Sequence, residues 1–236
     1  MVAIWWGWTA TAHSYYFPAV PKILGSFRGS WLAANVLPSV ERLAIGYVIA
    51  LAAGIGFGTL FGLSYVARRA TGPVVEFLRA IPAPALIPFG IIVFGVGAFT
   101  KIFLIAFVSL WPILLNTIDG VTGVDPLLRD VSRALAIPLR TQMRKVVLPA
   151  ASPQIFAGAR TSLSLSIIIM VISEMEAAHN GIGYFILEAQ STFATSDMWA
   201  GMLLLGVLGY VLNTLFVLVE RRVLHWQQGA RAVEEA

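Results

Sequence analysis

Long apolar runs separated by short polar intervals restrict this chain to a membrane protein. A helix needs about 20 consecutive apolar residues to cross the hydrocarbon core of a bilayer, and residues 43–66 are the clearest run of that length. Residues 101–118, 154–172 and 199–219 are further runs, and residues 82–97 form a shorter one that contains three prolines. A composition of 58% hydrophobic and 12% charged residues also argues against an ordinary soluble domain.

The first apolar run, residues 2–12, is too short to span a bilayer on its own. It carries Trp5, Trp6 and Trp8, which suit a membrane interface. Three interpretations stay open: a tilted first helix, a helix whose beginning is missing, and an amphipathic helix on the surface. With this run, the sequence predicts an all-α, multi-pass membrane protein with about six transmembrane helices, the first short or truncated.

The basic residues predict which loops face the cytoplasm. Cytoplasmic loops carry an excess of Lys and Arg, and twelve of the 16 basic residues fall in three intervals, residues 68–79, 129–160 and 221–231. Residues 174–197 contain four acids and neither Lys nor Arg, so we expect that interval outside. The net charge of +4 is explained by this asymmetry, and nucleic-acid binding is not expected.

The longest polar interval, residues 125–153, has a helical pattern. Its apolar residues recur at spacings of three and four, and Ala136-Ile137-Pro138 divides the pattern in two. Pro138 suits the first turn of a new helix. The interval therefore predicts two short amphipathic helices joined by a bend and closed off at Leu148-Pro149.

This interval resembles the EAA loop of ABC-transporter permeases. The pattern is Glu-Ala-Ala, three residues, Gly, nine residues, then Ile, any residue and Leu-Pro. The matching positions here are Asp130, Val131, Ser132, Ala136, Val146, Leu148 and Pro149. The spacing agrees throughout, although Asp replaces Glu and Ala136 stands where the family has Gly. With the stretches at 77–82, 173–175 and 180–184, nearly the whole chain resembles the nitrate, sulfonate and taurine branch of these permeases.

The resemblance implies a type I ABC importer permease fold in the bacterial inner membrane. Residues 1–236 would form one permease domain, with a cytoplasmic coupling loop at 119–153 and a cytoplasmic tail at 220–236. The implied partners are a cytoplasmic ATPase dimer, an extracytoplasmic substrate-binding protein, a second copy of the chain and the lipid bilayer. ATP and Mg would be bound by the ATPase. This chain would move a small solute, expected to be an anion of the sulfonate, nitrate or taurine kind, without being an enzyme.

The resemblance also places ATPase coupling on the polar interval. The residues expected to contribute are Asp130, Ser132, Leu135, Ala136, Leu139, Arg140, Met143 and Pro149. Among them Leu135, Leu139 and Met143 would dock into the ATPase, while Arg140, Arg144 and Lys145 would face acidic groups or lipid. Because Ala in a left-handed conformation costs on the order of 1 kcal/mol, we expect a helical or ordinary turn conformation at Ala136.

A stripe of small residues predicts a helix-packing surface in the clearest span. Gly46, Ala50, Gly54, Gly58 and Gly62 recur at intervals of four. Small residues in this register let helix backbones approach closely in a bilayer, where helix association gains little from the hydrophobic effect. We expect this stripe to pack against other helices or a second permease.

Residues of the translocation path are predicted from prolines and polar side chains within the spans. Prolines at membrane depth are tolerated where protein or a water-filled cavity receives the freed carbonyls. The candidates are Pro84, Pro88, Ser109, Asn116, Ser166, Glu174 and Asn213. Glu174 and Glu176 end the fifth run, where a hydrated outer rim is the simpler interpretation. A proton relay through either acid would instead indicate a secondary transporter.

The sequence offers no pattern for catalysis or metal binding. It contains no GxxxxGK[ST] loop for ATP phosphates, no HExxH and no GxSxG. It has no cysteine, and its three histidines are widely separated. A membrane-embedded enzyme is therefore the least supported alternative.

Overall fold

The computed structural model describes residues 16–27 and 29–226. These residues contain helices and turns but no strand, which confirms the all-α prediction. The helices, numbered in chain order, are α1 (Val20–Gly25), α2 (Gly29–Leu63), α3 (Tyr65–Ala80), α4 (Leu86–Phe94), α5 (Ala98–Thr122), α6 (Pro126–Ala134), α7 (Leu139–Gln142), α8 (Leu148–Ala177), α9 (Ile182–Ser191) and α10 (Thr195–Val223). A 3₁₀ turn, Ala83–Ala85, precedes α4, and a π-helical turn, Met143–Val147, joins α7 to α8.

Four helical stretches among the described residues are long and apolar enough to cross a membrane. They are Ala33–Leu63, Ala98–Thr122, Leu139–Ala177 and Thr195–Val223. A fifth is added if α3 and Ala83–Phe94, a bent pair, count as one broken span. The break lies at Ile81 and Pro82, at the beginning of the proline-containing run 82–97. The predicted first run, residues 2–12, lies outside the described residues.

The chain divides into two compact units. One comprises the described residues of Met1–Gly46 with Ala83–Ile105 and Ile167–Val211, and the other comprises Tyr47–Pro82, Ala106–Ser166 and the described residues of Leu212–Ala236. The second unit contains a hydrophobic cluster of Val121, Val124, Val147, Ala151 and Ile155. This cluster joins the end of α5 to the beginning of α8, and it supports the base of the polar interval.

The small-residue stripe of α2 lies directly against α5. In the first unit, a β-carbon built on Gly46 would be 2.7 Å from Cγ2 of Ile105. In the second unit, β-carbons on Gly54, Gly58 and Gly62 would meet side-chain carbons of α5 at 2.6–2.7 Å, and Ala50 is buried. The α5 residues that these three glycines face are Ile113, Thr117 and Val121. Because real β-carbons do not approach so closely, these positions accept no larger residue without movement of α5.

Candidate functional site

The first half of the polar interval is α6, which begins at a well-formed cap. Asp125 is the N-cap residue, and its Oδ1 accepts a hydrogen bond from the backbone N–H of Leu127 at 2.8 Å. Pro126 occupies the first helical position, where its missing N–H costs nothing. Leu127, Leu128 and Val131 remain 46–66% exposed. The predicted first helix is confirmed, with its apolar residues facing outward.

The bend after α6 is a Schellman motif with Ala136 at its left-handed position. The backbone N–H of Ala136 donates to the carbonyl of Arg133 at 2.9 Å, and that of Ile137 donates to the carbonyl of Ser132 at 3.0 Å. This pattern ends a helix with one left-handed residue, which is usually Gly. Ala136 has φ of +49°, so the prediction of a helical or ordinary turn conformation was wrong. The two hydrogen bonds offset the strain of its β-carbon.

The second half of the interval does not end at Leu148-Pro149. Residues 139–177 form one helical stretch, in which the π turn runs directly into α8. Pro149 lies in the first turn of α8. A π turn widens the helix immediately before the residue that lacks an N–H, and the chain passes the proline without a break. The prediction of a separate second helix, with a span beginning at residue 154, was therefore wrong.

We name residues 125–147 the coupling segment, after the role that the resemblance to ABC-transporter permeases implies for them. Leu135 is 69% exposed and Leu139 is 68% exposed, one on each side of the left-handed bend. Arg140, Arg144 and Lys145 are exposed beyond them. The coupling segment thus combines exposed leucines with exposed cations.

Three other residues of the coupling segment have structural contacts. Met143, predicted to dock into the ATPase together with Leu135 and Leu139, is half-buried and packs against the Val121 cluster. Ser132 is buried, and its hydroxyl donates to the carbonyl of Leu128 at 2.7 Å. Asp130 is exposed and accepts a hydrogen bond from Arg133 at 3.3 Å.

Glu174 is the centre of a buried polar cluster in the first unit. Its side chain is 0% exposed, which contradicts the expected hydrated rim. The carboxylate accepts hydrogen bonds from Ser39 at 2.8 Å and from Arg42 at 3.0 Å. Arg42 also donates to the side chain and the backbone carbonyl of Asn180. We name Ser39, Arg42, Glu174 and Asn180 the Glu174 cluster.

The Glu174 cluster fixes the beginning of α9. The backbone N–H of Gly183 donates to Glu174 at 3.1 Å, and that of Ile182 donates to Ser39 at 2.9 Å. The N–H of Gly181 donates to Asn35 at 3.2 Å. Gly181 has φ of +122°, and a β-carbon there would strike the Glu174 carboxylate. Side chains of α2 and α8 therefore accept hydrogen bonds from the N–H groups of Gly181, Ile182 and Gly183 at the beginning of α9.

The polar path candidates of the second unit are Ser109, Asn116, Ser166 and Asn213. Ser166 is buried and donates to the carbonyl of Leu163 at 2.6 Å. Asn116 donates to the carbonyl of Pro112 at 2.8 Å and accepts from Gln154 at 2.9 Å. Ser109 is buried, and its carbonyl accepts from Ser162 at 2.6 Å. Asn213 is exposed on α10.

Pro84 and Pro88 line a cavity of about 380 Å³ in the first unit. Ile87, Ile91, Ile92, Ile172 and Glu176 complete its lining. The walls are aliphatic apart from the Glu176 carboxylate. The cavity can therefore hold a small molecule, although none of its lining residues is a cation that would bind an anion.

Two buried cations of the first unit were missed at the sequence level. Arg42 immediately precedes the apolar run at 43–66 and Lys101 begins the run at 101–118, but both lie within span-length helices. Arg42 pairs with Glu174, and the ammonium of Lys101 donates to the carbonyl of Gly97 at 2.9 Å. The available signal was a charged residue within one turn of a long apolar run, which is costly unless protein surrounds it.

Comparison with known proteins identifies the family. Residues 46–225 match the family described as "Binding-protein-dependent transport system inner membrane component". The chain belongs to this family. It is therefore a permease of the ABC importer type, an inner-membrane transport subunit rather than an enzyme.

Relatives agree with that assignment, and a solved structure shows the same fold. The chain is 31% identical over 233 residues to the putative aliphatic sulfonates transport permease protein SsuC of Bacillus subtilis, covering 96% of this chain and 84% of the relative. It is 32% identical over 208 residues to the nitrate import permease protein NrtB of Leptolyngbya laminosa, covering 88% and 75%. An inward-facing MetNI methionine ABC transporter chain shares the fold, with a TM-score of 0.70 at 19% identity over 80% of this chain and 94% of that chain. The predicted type I importer fold is confirmed.

Proposed function

We propose that this permease couples to a separate ATPase dimer through the coupling segment. The observation that carries the proposal is the exposure of Leu135 and Leu139, at 69% and 68%. Exposed leucines on a polar interval suit a hydrophobic groove in a partner. The cations Arg140, Arg144 and Lys145 stand beside them and complement acidic groups on that partner.

The proposed mechanism is alternating access driven by the partner. ATP and Mg bind to the ATPase, whose closure moves the coupling segment. Because the π turn joins this segment to α8 without a break, a displacement at Leu139 passes directly into a membrane span. The spans then change from inward-open to outward-open, and hydrolysis resets them. A second copy of this chain would complete the transmembrane pore.

The proposed cargo is a small anionic solute delivered by an extracytoplasmic binding protein. The names of the sulfonate and nitrate relatives support the anionic class. The cavity at Pro84 and Pro88 is a candidate part of the path, but Glu176 is the ionisable group in its lining. Selection of an anion is therefore assigned mainly to the binding protein.

Co-purification from native membranes in mild detergent tests the coupling. The wild-type chain should retain a stoichiometric ATPase, and Leu135→Asp with Leu139→Asp should lose it, because two charges would enter an apolar contact. The matched control, Leu135→Met with Leu139→Met, should retain it. Both variants must elute as monodisperse, folded protein. Retention of the ATPase by the Asp variant would refute this docking surface. Folded, intact wild-type permease that purifies without any ATPase would refute the proposed function.

A further inference from the structure

The exposed face of α3 has two chemically different sides. Val66, Ala70, Pro73 and Phe77 follow one another at intervals of three and four and form an apolar strip. Val66 is 75% exposed and Phe77 is 70% exposed. Val75, on the other side of the helix, is buried in the second unit. The helix therefore packs by one face and leaves an apolar strip uncovered by the described part of this chain.

The cationic residues of α3 lie outside this apolar strip. Arg69 and Arg79 are exposed, and Arg68 is half-buried. Arg79 forms an ion pair with Glu76. With three Arg and one Glu, α3 has a formal net charge of +2. Arg69 lies next to the apolar strip, whereas Arg68 and Arg79 lie on the opposite side of the helix, near Val75.

Tyr65 lies at the beginning of α3 and contacts two arginines. Its hydroxyl accepts a hydrogen bond from Arg69 at 3.2 Å, and the guanidinium of Arg68 lies 5.7 Å from its ring centroid. Tyrosine with arginine is typical of the membrane–water interface, where the ring is half solvated and the cation reaches phosphate. The tyrosine thus suits the level of the headgroups.

We propose that α3 is an interfacial helix that lies on the membrane surface and binds anionic lipid headgroups. Its apolar strip would enter the boundary between headgroups and acyl chains, and its arginines would contact the phosphates. A helix with separated apolar and cationic sides binds in this way, and clustered arginines favour anionic lipids. Charge complementarity and the membrane location of the family select lipid as the occupant of this face.

Spin labels on single cysteines test the orientation of α3. The chain has no cysteine, so each substitution gives one labelled site. In nanodiscs of phosphatidylcholine with phosphatidylglycerol, labels at Val66→Cys and Phe77→Cys should be accessible to oxygen and should lie about 5–10 Å below the phosphates. Labels at Arg69→Cys and Glu76→Cys should be accessible to a water-soluble nickel complex. Equal nickel access at all four sites would overturn the proposal, and occlusion of Phe77→Cys from both probes would indicate a protein partner instead.

Lipid composition tests the role of the arginines. The label at Phe77→Cys should lie deeper in nanodiscs with phosphatidylglycerol than in those of phosphatidylcholine alone. Adding Arg69→Gln and Arg79→Gln, both at exposed positions, should abolish this difference. Arg221→Gln with Arg222→Gln, also exposed and in the last turn of α10, should leave it intact. A depth that is independent of lipid charge in the wild-type background would refute headgroup binding.

Discussion

A single methyl group determines the energetics at Ala136. The Schellman hydrogen bonds require a left-handed residue at this position, and an L-residue with a β-carbon is strained there. The strain is local because the side chain itself is exposed. Ala136 is therefore a site where removing atoms stabilises the protein.

Replacing Ala136 with Gly should stabilise the coupling segment by about 1 kcal/mol. The matched control is Ala134→Gly, the last residue of α6, which should destabilise it by about 0.5–1 kcal/mol because glycine loses more conformational freedom in a helix. Hydrogen exchange of the amides of 135–137 measures both changes. Faster exchange in Ala136→Gly than in the wild type would contradict the strain at this position.

Breaking the Arg42–Glu174 ion pair should be among the costliest single changes in the chain. Glu174→Gln keeps the shape but leaves Arg42 as a buried, uncompensated charge, which costs about 3–5 kcal/mol. Thermal unfolding of the detergent-solubilised protein should show a large loss of stability. The control, Asp130→Asn in an exposed pair, should change stability by about 0.5 kcal/mol or less.

A double substitution distinguishes the energetic contribution of the ion pair from that of the side-chain shapes. Arg42→Gln with Glu174→Gln removes both charges, and it should recover part of the stability lost in Glu174→Gln alone. An additive loss in the double variant would show that Arg42 and Glu174 are not energetically coupled.

Helix α2 contains one glycine that is closely packed and another that has room for a larger side chain. Gly58 lies against Thr117 of α5, where a β-carbon would be 2.6 Å from the Thr117 Cβ, whereas Gly56 has nothing within 4 Å of that position. The two glycines are two residues apart and face different surroundings. The helix therefore contains its own control for the small-residue stripe.

Gly58→Ala should destabilise the permease by about 1–3 kcal/mol, because α5 must move to admit the methyl group. Gly56→Ala should instead stabilise it by up to about 1 kcal/mol through the higher helix propensity of Ala. The stabilities of the two variants can be compared by heating each one and measuring the remaining folded protein by size-exclusion chromatography. Equal stability of the variants would mean that the contact between α2 and α5 is not tight at Gly58.

Across the whole molecule, predictability depends on how local the determining physics is. The apolar run at 43–66 and the helical spacing around Leu127 required only neighbouring residues, and both helices formed. Arg42 and Glu174 are 132 residues apart in the sequence, so their pairing cannot be inferred from neighbouring residues. The local sequence instead indicated that Arg42 lies at the end of a span and Glu174 at a hydrated rim. The left-handed Ala136 was missed for another reason, because strain at one residue is outweighed by hydrogen bonds that involve several.

The charge asymmetry predicts the orientation of the whole chain in the membrane, and this orientation is open to a direct test. Because the chain has no cysteine, Lys145→Cys and Glu188→Cys each give one exposed thiol. The excess of Arg and Lys predicts that Lys145 is in the cytoplasm, and the acidic interval predicts that Glu188 is outside. A membrane-impermeant maleimide should therefore label Glu188→Cys in spheroplasts but label Lys145→Cys only after permeabilisation. The reverse pattern would invert the topology and remove the coupling segment from the reach of a cytoplasmic ATPase.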